Sequence, residues 1–495
     1  MQSHRFLVSI VIVFLTASAL PAQQPHRTLL LRIDNVTQRQ LEEKGISGGD
    51  EYTRETVVSL VRDTALVLAT KAEADVYRER GLSFSVVMED TSLLRLYKRA
   101  LYGPTLQLQN PYHTYAAMLS DIDSLEKVRP HLLHRLTVGT TTQEKKPIIA
   151  VRISDNAGTE TDRPRVLFDG CHHADELMGG EICMALIREL VEKFGKDPGI
   201  TQILKDYEVY VIPVVNVDGH NVVTSSTDPR WRKNTRDTNG DGIIHSYPDG
   251  VDPNRNYDFN WAHGGSGEPT SERYRGAFPF SESEPGAVAD LAHQKKFILS
   301  VTYHSQGEVV YYPWDWKGRK APDDVLLTDI ARGLARSIQT MKGDTTYRAE
   351  YGAGLVGQSY PWLYGANGTF DFIVETGLGA SFFAPYEVPG IIGANLAGVR
   401  YILRRAAGPG LTGHVTDATT GAPLEAEVWF PAIETEDVHR RTTEATFGRF
   451  WRLLAPGKHT CIVSKSGYKT AVLTDIDVRE QGWTVRDVSL VREAK

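Results

Sequence analysis

The sequence predicts an α/β core, a central sheet covered by helices on both faces, with a small α+β domain before it and a compact β-sandwich after it. Three observations carry that expectation. In the middle of the chain, largely apolar runs at 148–153, 165–168, 207–215 and 297–302 alternate with helical patterns, as strands buried on both faces do. Before them, residues 27–100 mix short apolar runs with one helical stretch. After them, Ala406-Ala407-Gly408-Pro409-Gly410 interrupts a helix pattern, and the later strand-like segments are short and separated by Gly, Pro, Asp and Ser.

Residues 1–22 place a basic residue, Arg5, before an apolar run from Phe6 to Leu15 and the small residues Thr16-Ala17-Ser18-Ala19. That run falls short of the roughly 20 apolar residues a transmembrane helix needs, and no later segment supplies a transmembrane candidate. The stretch therefore reads as a signal peptide cleaved after Ala19 or Ala22, and the protein as secreted or periplasmic. Residues 26–105 form the expected α+β or prodomain-like region: 29–33 and 82–88 read as strands, 53–66 as a helix and 93–97 as the start of another. The central region, 110–403, opens with a helix over 115–125 and strands over 132–138, 148–153 and 165–168, then a helix running to 191. The last region, 409–495, has strands expected at 411–415, 426–430, 449–454, 459–463 and 485–491, a sandwich near the lower end of domain size.

A chain of 495 residues with 41% hydrophobic content can bury a large core in more than one domain. Its net charge of -7 gives no general attraction to nucleic acid or to an anionic membrane. The three cysteines cannot build a disulfide framework, and Cys171 and Cys183 read as small buried hydrophobes.

Chemistry concentrates around Cys171-His172-His173-Ala174-Asp175-Glu176-Leu177. The spacing of His173 and Glu176 puts both on one helical face or lets a turn aim them together. His304, in Tyr303-His304-Ser305-Gln306, follows the apolar run at 297–302. Two imidazoles and one carboxylate would hold zinc and leave a fourth position for water. By themselves these fragments read as well as a helix-surface hydrogen bond and a polar strand cap. All of them fall beyond strand ends, where open α/β sheets place their binding crevices. A second ion has its own candidate: Asp237, Asn239 and Asp241, in Asp237-Thr238-Asn239-Gly240-Asp241-Gly242, alternate oxygen donors like the start of a calcium loop. Pro248 stands at the twelfth position where a carboxylate is usual, with Asp249 beside it, and an ion-free Asx-rich turn is the other reading.

Over residues 112–403 the motifs Tyr112-His113-Thr114-Tyr115, His173-Ala174-Asp175-Glu176, Trp231-Arg232-Lys233-Asn234, Asp252-Pro253-Asn254-Arg255-Asn256, Tyr303-His304-Ser305 and Phe372-Ile373-Val374-Glu375 occur in order. In content and sequence of motifs the chain resembles the M14 zinc carboxypeptidase family. The resemblance implies a mixed central sheet flanked by helices and one catalytic zinc held by His173, Glu176 and His304. It implies that Asp252 accepts a hydrogen bond from the nonligating nitrogen of His173. Glu375 would be the general base toward water at the metal and would then protonate the departing amine. Arg232 would polarise the scissile carbonyl, and Asn254 and Arg255 would grip a terminal carboxylate.

The function implied is a secreted zinc metallocarboxypeptidase acting on peptides with a free C-terminal carboxylate. Tyr351 is the candidate for the family's mobile Tyr at the terminal carboxylate. Tyr360 would lie near the side-chain pocket, where its ring either favours an apolar or aromatic residue or packs the loop. Asp175 departs from the Arg of many relatives, which should alter substrate recognition. The tail resembles the carboxypeptidase regulatory-like, transthyretin-like sandwich. A hydrolase of cell-wall peptides or of other terminally carboxylated amides is the alternative. A catalytically silent peptide binder would require a missing ligand, base or Arg, and none is missing.

Overall fold

The computed structural model describes residues 29–36, 40–41, 57–61, 64–69, 71–89 and 112–494, apart from 226–227, 229, 245–248, 270, 353–355 and 379–382. The signal peptide expected at 1–22 and the helix start expected at 93–97 lie outside these residues. The chain divides into two units, Met1–Tyr97 and Lys98–Lys495.

In the first unit β1 (Leu29–Asp34), β2 (Val57–Val61), β3 (Thr64–Ala69) and β4 (Ser85–Met88) form an antiparallel sheet in the order β2-β3-β1-β4. Helix α1 (Lys71–Glu79) packs Ala74 and Tyr77 into a core with Leu31, Ile33 and Val67. The helix expected over 53–66 is thus corrected to the paired strands β2 and β3. Ala65, Val67 and Ala69 are all buried, a period of two that a strand requires, and the β-branched Val67 suits a pleated surface.

The second unit begins with α2 (Tyr115–Val128), whose N-cap Thr114 hydroxyl accepts the Ala117 amide at 3.2 Å. Then follow β5 (Leu133–Thr140), β6 (Pro147–Ile153), β7 (Arg165–Gly170), α3 (Met178–Lys193), α4 (Pro198–Asp206), β8 (Glu208–Ile212) and α5 (Val217–Thr224). After a long loop come α6 (Ser283–Lys295), β9 (Leu299–His304), β10 (Val309–Tyr312), the small hairpin β11 (Asp315–Trp316) and β12 (Arg319–Lys320), α7 (Asp324–Arg336), β13 (Arg348–Tyr351), β14 (Phe370–Glu375) and α8 (Val388–Arg405). One eight-stranded sheet collects them in the order β13-β10-β14-β9-β7-β8-β6-β5.

That sheet is mixed, as the resemblance implies: β14, β9, β7 and β8 run parallel, whereas β5, β6 and β10 bring antiparallel pairings. Every residue of β7, β8, β9 and β14 is buried, which explains why these runs lack polar alternation. Helix α3 approaches β7 backbone to backbone: a Cβ on Gly170 would stand 2.6 Å from the Gly179 carbonyl carbon. This close approach fixes both ends of the loop 171–177. The strand expected at 297–302 lies two residues later, so His304 closes β9 instead of following it, and Glu375 likewise closes β14. No helix among the described residues is long and apolar enough to cross a membrane. Cys171, Cys183 and Cys461 are buried and unpaired as thiols.

The tail is a sandwich of two four-stranded sheets. β15 (Gly410–Asp417) pairs with β18 (Arg449–Leu453), β21 (Trp483–Val485) and β22 (Val488–Leu490); β16 (Glu427–Trp429), β17 (Arg441–Thr442), β19 (Gly457–Ser464) and β20 (Ala471–Val478) form the other sheet. Leu411, Val415, Phe430, Phe450, Cys461 and Ile476 meet between them. The sandwich belongs to the same unit as the large sheet: both oxygens of Asp323 accept from Arg452 Nη2 at 2.8 Å, and Asp162 binds Arg449 and His414.

Candidate metal centre

The carboxyl ends of the parallel strands bring together what the sequence scatters. His173 stands three residues beyond β7, His304 ends β9, Glu176 precedes α3, and all three are wholly buried. Glu176 Oε1 lies 3.0 Å from His173 Nδ1 and Oε2 lies 2.8 Å from His304 Nδ1, while the two Nδ1 atoms are 3.1 Å apart. Two ligand nitrogens, each about 2.0–2.1 Å from a tetrahedral zinc, would themselves be about 3.3 Å apart. The donor set therefore fits zinc in chemistry and in spacing. Burial alone would raise the Glu176 carboxyl, yet the two imidazoles hold it well below the usual range. Burial and Arg232 push His173 down, but Glu176 and Asp252 outweigh them and raise it to about 9.

Asp252, also buried, stands behind the first ligand: its Oδ1 is 3.1 Å from His173 Nε2, and its Oδ2 accepts Arg232 Nε at 3.1 Å and Nη2 at 3.0 Å. Against the raising effect of burial, Arg232, His173 and Arg255 keep Asp252 ionised. Arg232 Nη2 comes within 2.8 Å of His173 Nε2 and Nη1 donates to Glu176 at 3.5 Å, so the guanidinium lies against the ligand cluster. The turn Pro253–Arg255 follows Asp252, whose side chain caps it through the Asn254 amide. That turn sets the Asn254 carboxamide 3.0 Å from His304 Nε2 and buries Arg255. Asp175 is half-buried beside the ligands.

Glu375 is 1% exposed and pairs in register with His304. Tyr360 is buried next to Asn254, since the preceding residue donates its amide to Asn254 Oδ1 at 2.9 Å. Tyr351 is not brought to this centre. It lies on the edge strand β13 opposite Tyr312, three positions, roughly 10 Å, along from the level of Glu375. Its hydroxyl donates to Asp324 at 2.8 Å and Lys320 covers its ring, so in this structure Tyr351, the candidate for the mobile Tyr, is held at the sheet edge by the pairing of β13 with β10.

Sequence reasoning passed over His172, whose Nε2 lies 2.8 Å from the Tyr257 hydroxyl and whose ring stacks on His304. Burial and the two neighbouring imidazoles keep it well below the usual histidine range, hence neutral. It also passed over Gln358 and Ser359, beside Asn254; only their place just before Tyr360 hinted at them. At the second candidate site, Asp237, Asp241 and Asp249 offer oxygens within 4.8 Å of one another. Asn239, in the same loop, donates its side-chain amide to Asp241 and accepts the Asp241 backbone amide, and Asp249 is the third carboxylate of the cluster.

Comparison with known proteins agrees with this geometry. A family model described as zinc carboxypeptidase matches residues 118–388, and one described as carboxypeptidase regulatory-like domain matches 410–491. Carboxypeptidase A4 of Mus musculus is 30% identical over 321 residues, covering 62% of this chain and 71% of that protein. Carboxypeptidase B of Bos taurus is 29% identical over 314 residues, 62% of this chain and 73% of that one. Among solved structures, carboxypeptidase A from Helicoverpa armigera shares the fold with a TM-score of 0.56 at 19% identity, over 77% of this chain and 98% of that one. Bovine thrombin-activatable fibrinolysis inhibitor, solved with tick carboxypeptidase inhibitor, does so with a TM-score of 0.53 at 24% identity, over 60% and 97%.

Proposed function

The chain belongs to the zinc carboxypeptidase family, and from that premise we propose how its own residues remove the C-terminal residue of a peptide. It is a zinc metallocarboxypeptidase, and the observation that carries this is the convergence of His173, Glu176 and His304 on one point. Zinc held there supplies Lewis acidity toward a peptide carbonyl and acidifies water. Glu375 takes the proton from the attacking water and returns it to the departing amine, a role its pairing with His304 supports. Arg232 donates to the oxygen that gains negative charge, and its contacts with Asp252 hold the guanidinium in place before that charge appears. Asp252 fixes the His173 ring. Asn254 and Arg255 bind the terminal carboxylate, which restricts cleavage to the last peptide bond.

In the same reading residues 26–105 are a prodomain-like region, 110–403 the catalytic domain and 409–495 the regulatory-like sandwich. Residues 1–22 direct export, so N-terminal sequencing of the exported protein should begin at Leu20 or Gln23. Calcium at Asp237, Asp241 and Asp249 would tie the loop after Arg236 together, and a rise in melting temperature with calcium that Asp249→Asn abolishes is its test. The decisive assay is mass spectrometry on a mixed peptide library. Sequential loss of C-terminal residues, abolished by a chelator and by Glu375→Gln, is expected; internal cuts or intact peptides would refute the assignment. Release from cell-wall peptides alone would favour the specialised hydrolase.

A further inference from the structure

Gln358 and Ser359 adjoin the residues assigned to the terminal carboxylate, and bond cleavage itself needs neither. Both are 0% exposed. Nε2 and Oε1 of Gln358 and Oγ of Ser359 have no hydrogen-bond partner among the described residues. Their backbone, by contrast, is firmly held. The Ser359 amide donates to Asn254 Oδ1 at 2.9 Å, and the Trp362 amide donates to the Gln358 carbonyl at 3.4 Å. Gly357, at φ +76°, lies so close to Arg255 that a Cβ there would come within 2.9 Å of the Arg255 carbonyl oxygen. Tyr360 is anchored by its hydroxyl on the Gly352 carbonyl at 3.1 Å. The segment is thus fixed against Asn254 and Arg255 while three polar side-chain atoms stay unpaired.

Buried polar atoms without partners are unfavourable, and native interiors pair nearly all of them. Where such atoms cluster beside a binding site, a ligand group is the natural partner. In a peptide the terminal carboxylate and the terminal side chain branch from one α-carbon, so a carboxylate held by Asn254 and Arg255 delivers that side chain next to the same two residues. A neutral carboxamide and a hydroxyl offer donors and acceptors but no charge. An apolar side chain would leave all three atoms unpaired, and a charged one would be buried without a counter-ion.

We propose that Gln358 and Ser359 read the side chain of the substrate's C-terminal residue and select an uncharged hydrogen-bonding one, the carboxamide of Asn or Gln or the hydroxyl of Ser or Thr. This rests on the carboxypeptidase reading and replaces the expectation that Tyr360 favours an apolar or aromatic residue.

The test uses the zinc-loaded full chain and peptides that differ only in the last residue: Gln, Asn, Ser, Leu, Phe, Lys or Glu. The Gln- or Asn-ended peptide should exceed the Leu-ended one in kcat/KM by about tenfold or more. Gln358→Met, close in shape, and Ser359→Ala should each lower that ratio, with KM carrying most of the change and zinc content unaltered. Gln358→Glu should raise cleavage of the Lys-ended peptide, a gain that misfolding does not produce. A wild-type preference for Leu or Phe, or a ratio unmoved by Gln358→Met, overturns the assignment. Release of no residue from any peptide overturns the carboxypeptidase reading, and this inference with it.

Discussion

Glu375 and His304 occupy matching positions at the carboxyl ends of β14 and β9, paired in a parallel ladder. Directly paired residues of neighbouring strands point to the same face of the sheet, so the ladder itself sets the Glu375 carboxylate, the proposed base, beside His304. Gly307 leaves the Glu375 stem just enough room: a Cβ there would lie 3.1 Å from the Glu375 Cβ.

Glu375→Gln keeps the shape and removes the base. Turnover should fall by about 10²–10⁴-fold. Zinc content, measured by elemental analysis, should stay at one ion per chain; loss of the ion together with activity would count against a base that is not a ligand.

Asp252→Asn weakens the grip on the His173 ring. Zinc affinity should drop by about 10–100-fold, read by competition with a chromogenic chelator, and excess zinc should restore much of the activity. Unchanged affinity would contradict the role given to Asp252.

Glu284, at the start of α6, accepts the Thr142 amide at 2.9 Å and hydroxyl at 2.6 Å, and burial pushes its carboxyl from 4.5 up to about 7. The folded state then holds a proton that the unfolded chain releases. Its contribution is full below about pH 4.5 and is lost as pH rises through about 7, a change of up to ~3 kcal/mol. Denaturant titrations from pH 5 to 8 should show Glu284→Gln losing less stability with rising pH than the parent. Parallel curves would argue that Glu284 ionises normally.

Arg452 joins the sandwich to Asp323 in a buried pair, and Asp323 in turn accepts the Tyr364 hydroxyl at 2.7 Å. Arg452→Met leaves that carboxylate buried without its main counter-charge. The expected loss is about 3–5 kcal/mol, seen as a lower denaturation midpoint of the full chain. A midpoint within error of the parent would mean the pair is dispensable.

The metal ligands were legible because the ordered motifs around His173, Glu176 and His304 resemble those of the zinc carboxypeptidase family, their spacing alone reading as well as a surface pair. The sheet was legible because long apolar strands announce burial on both faces. Elements decided by partners far along the chain were not. The stretch 57–69 has apolar residues compatible with helical or strand spacing, and only its pairing with β1 selects the strand. The resting place of Tyr351, on β13 beside β10 with its hydroxyl on Asp324, is likewise set by distant partners that the sequence does not display. β20, whose burial alternates only weakly, escaped notice altogether. Gln358 and Ser359 carry no pattern of their own; what marks them is burial without partners, which no linear string displays.

β9 lies between β7 and β14 in the sheet: His304 ends the first, the loop carrying His173 and Glu176 follows the second, and Glu375, the proposed proton carrier, ends the third. Metal content and turnover therefore report on different seams of one architecture. A chain nicked between His304 and Glu375 that lost only the docking of β14 would retain its ion and fall silent, so assays of zinc uptake alone would score it as intact.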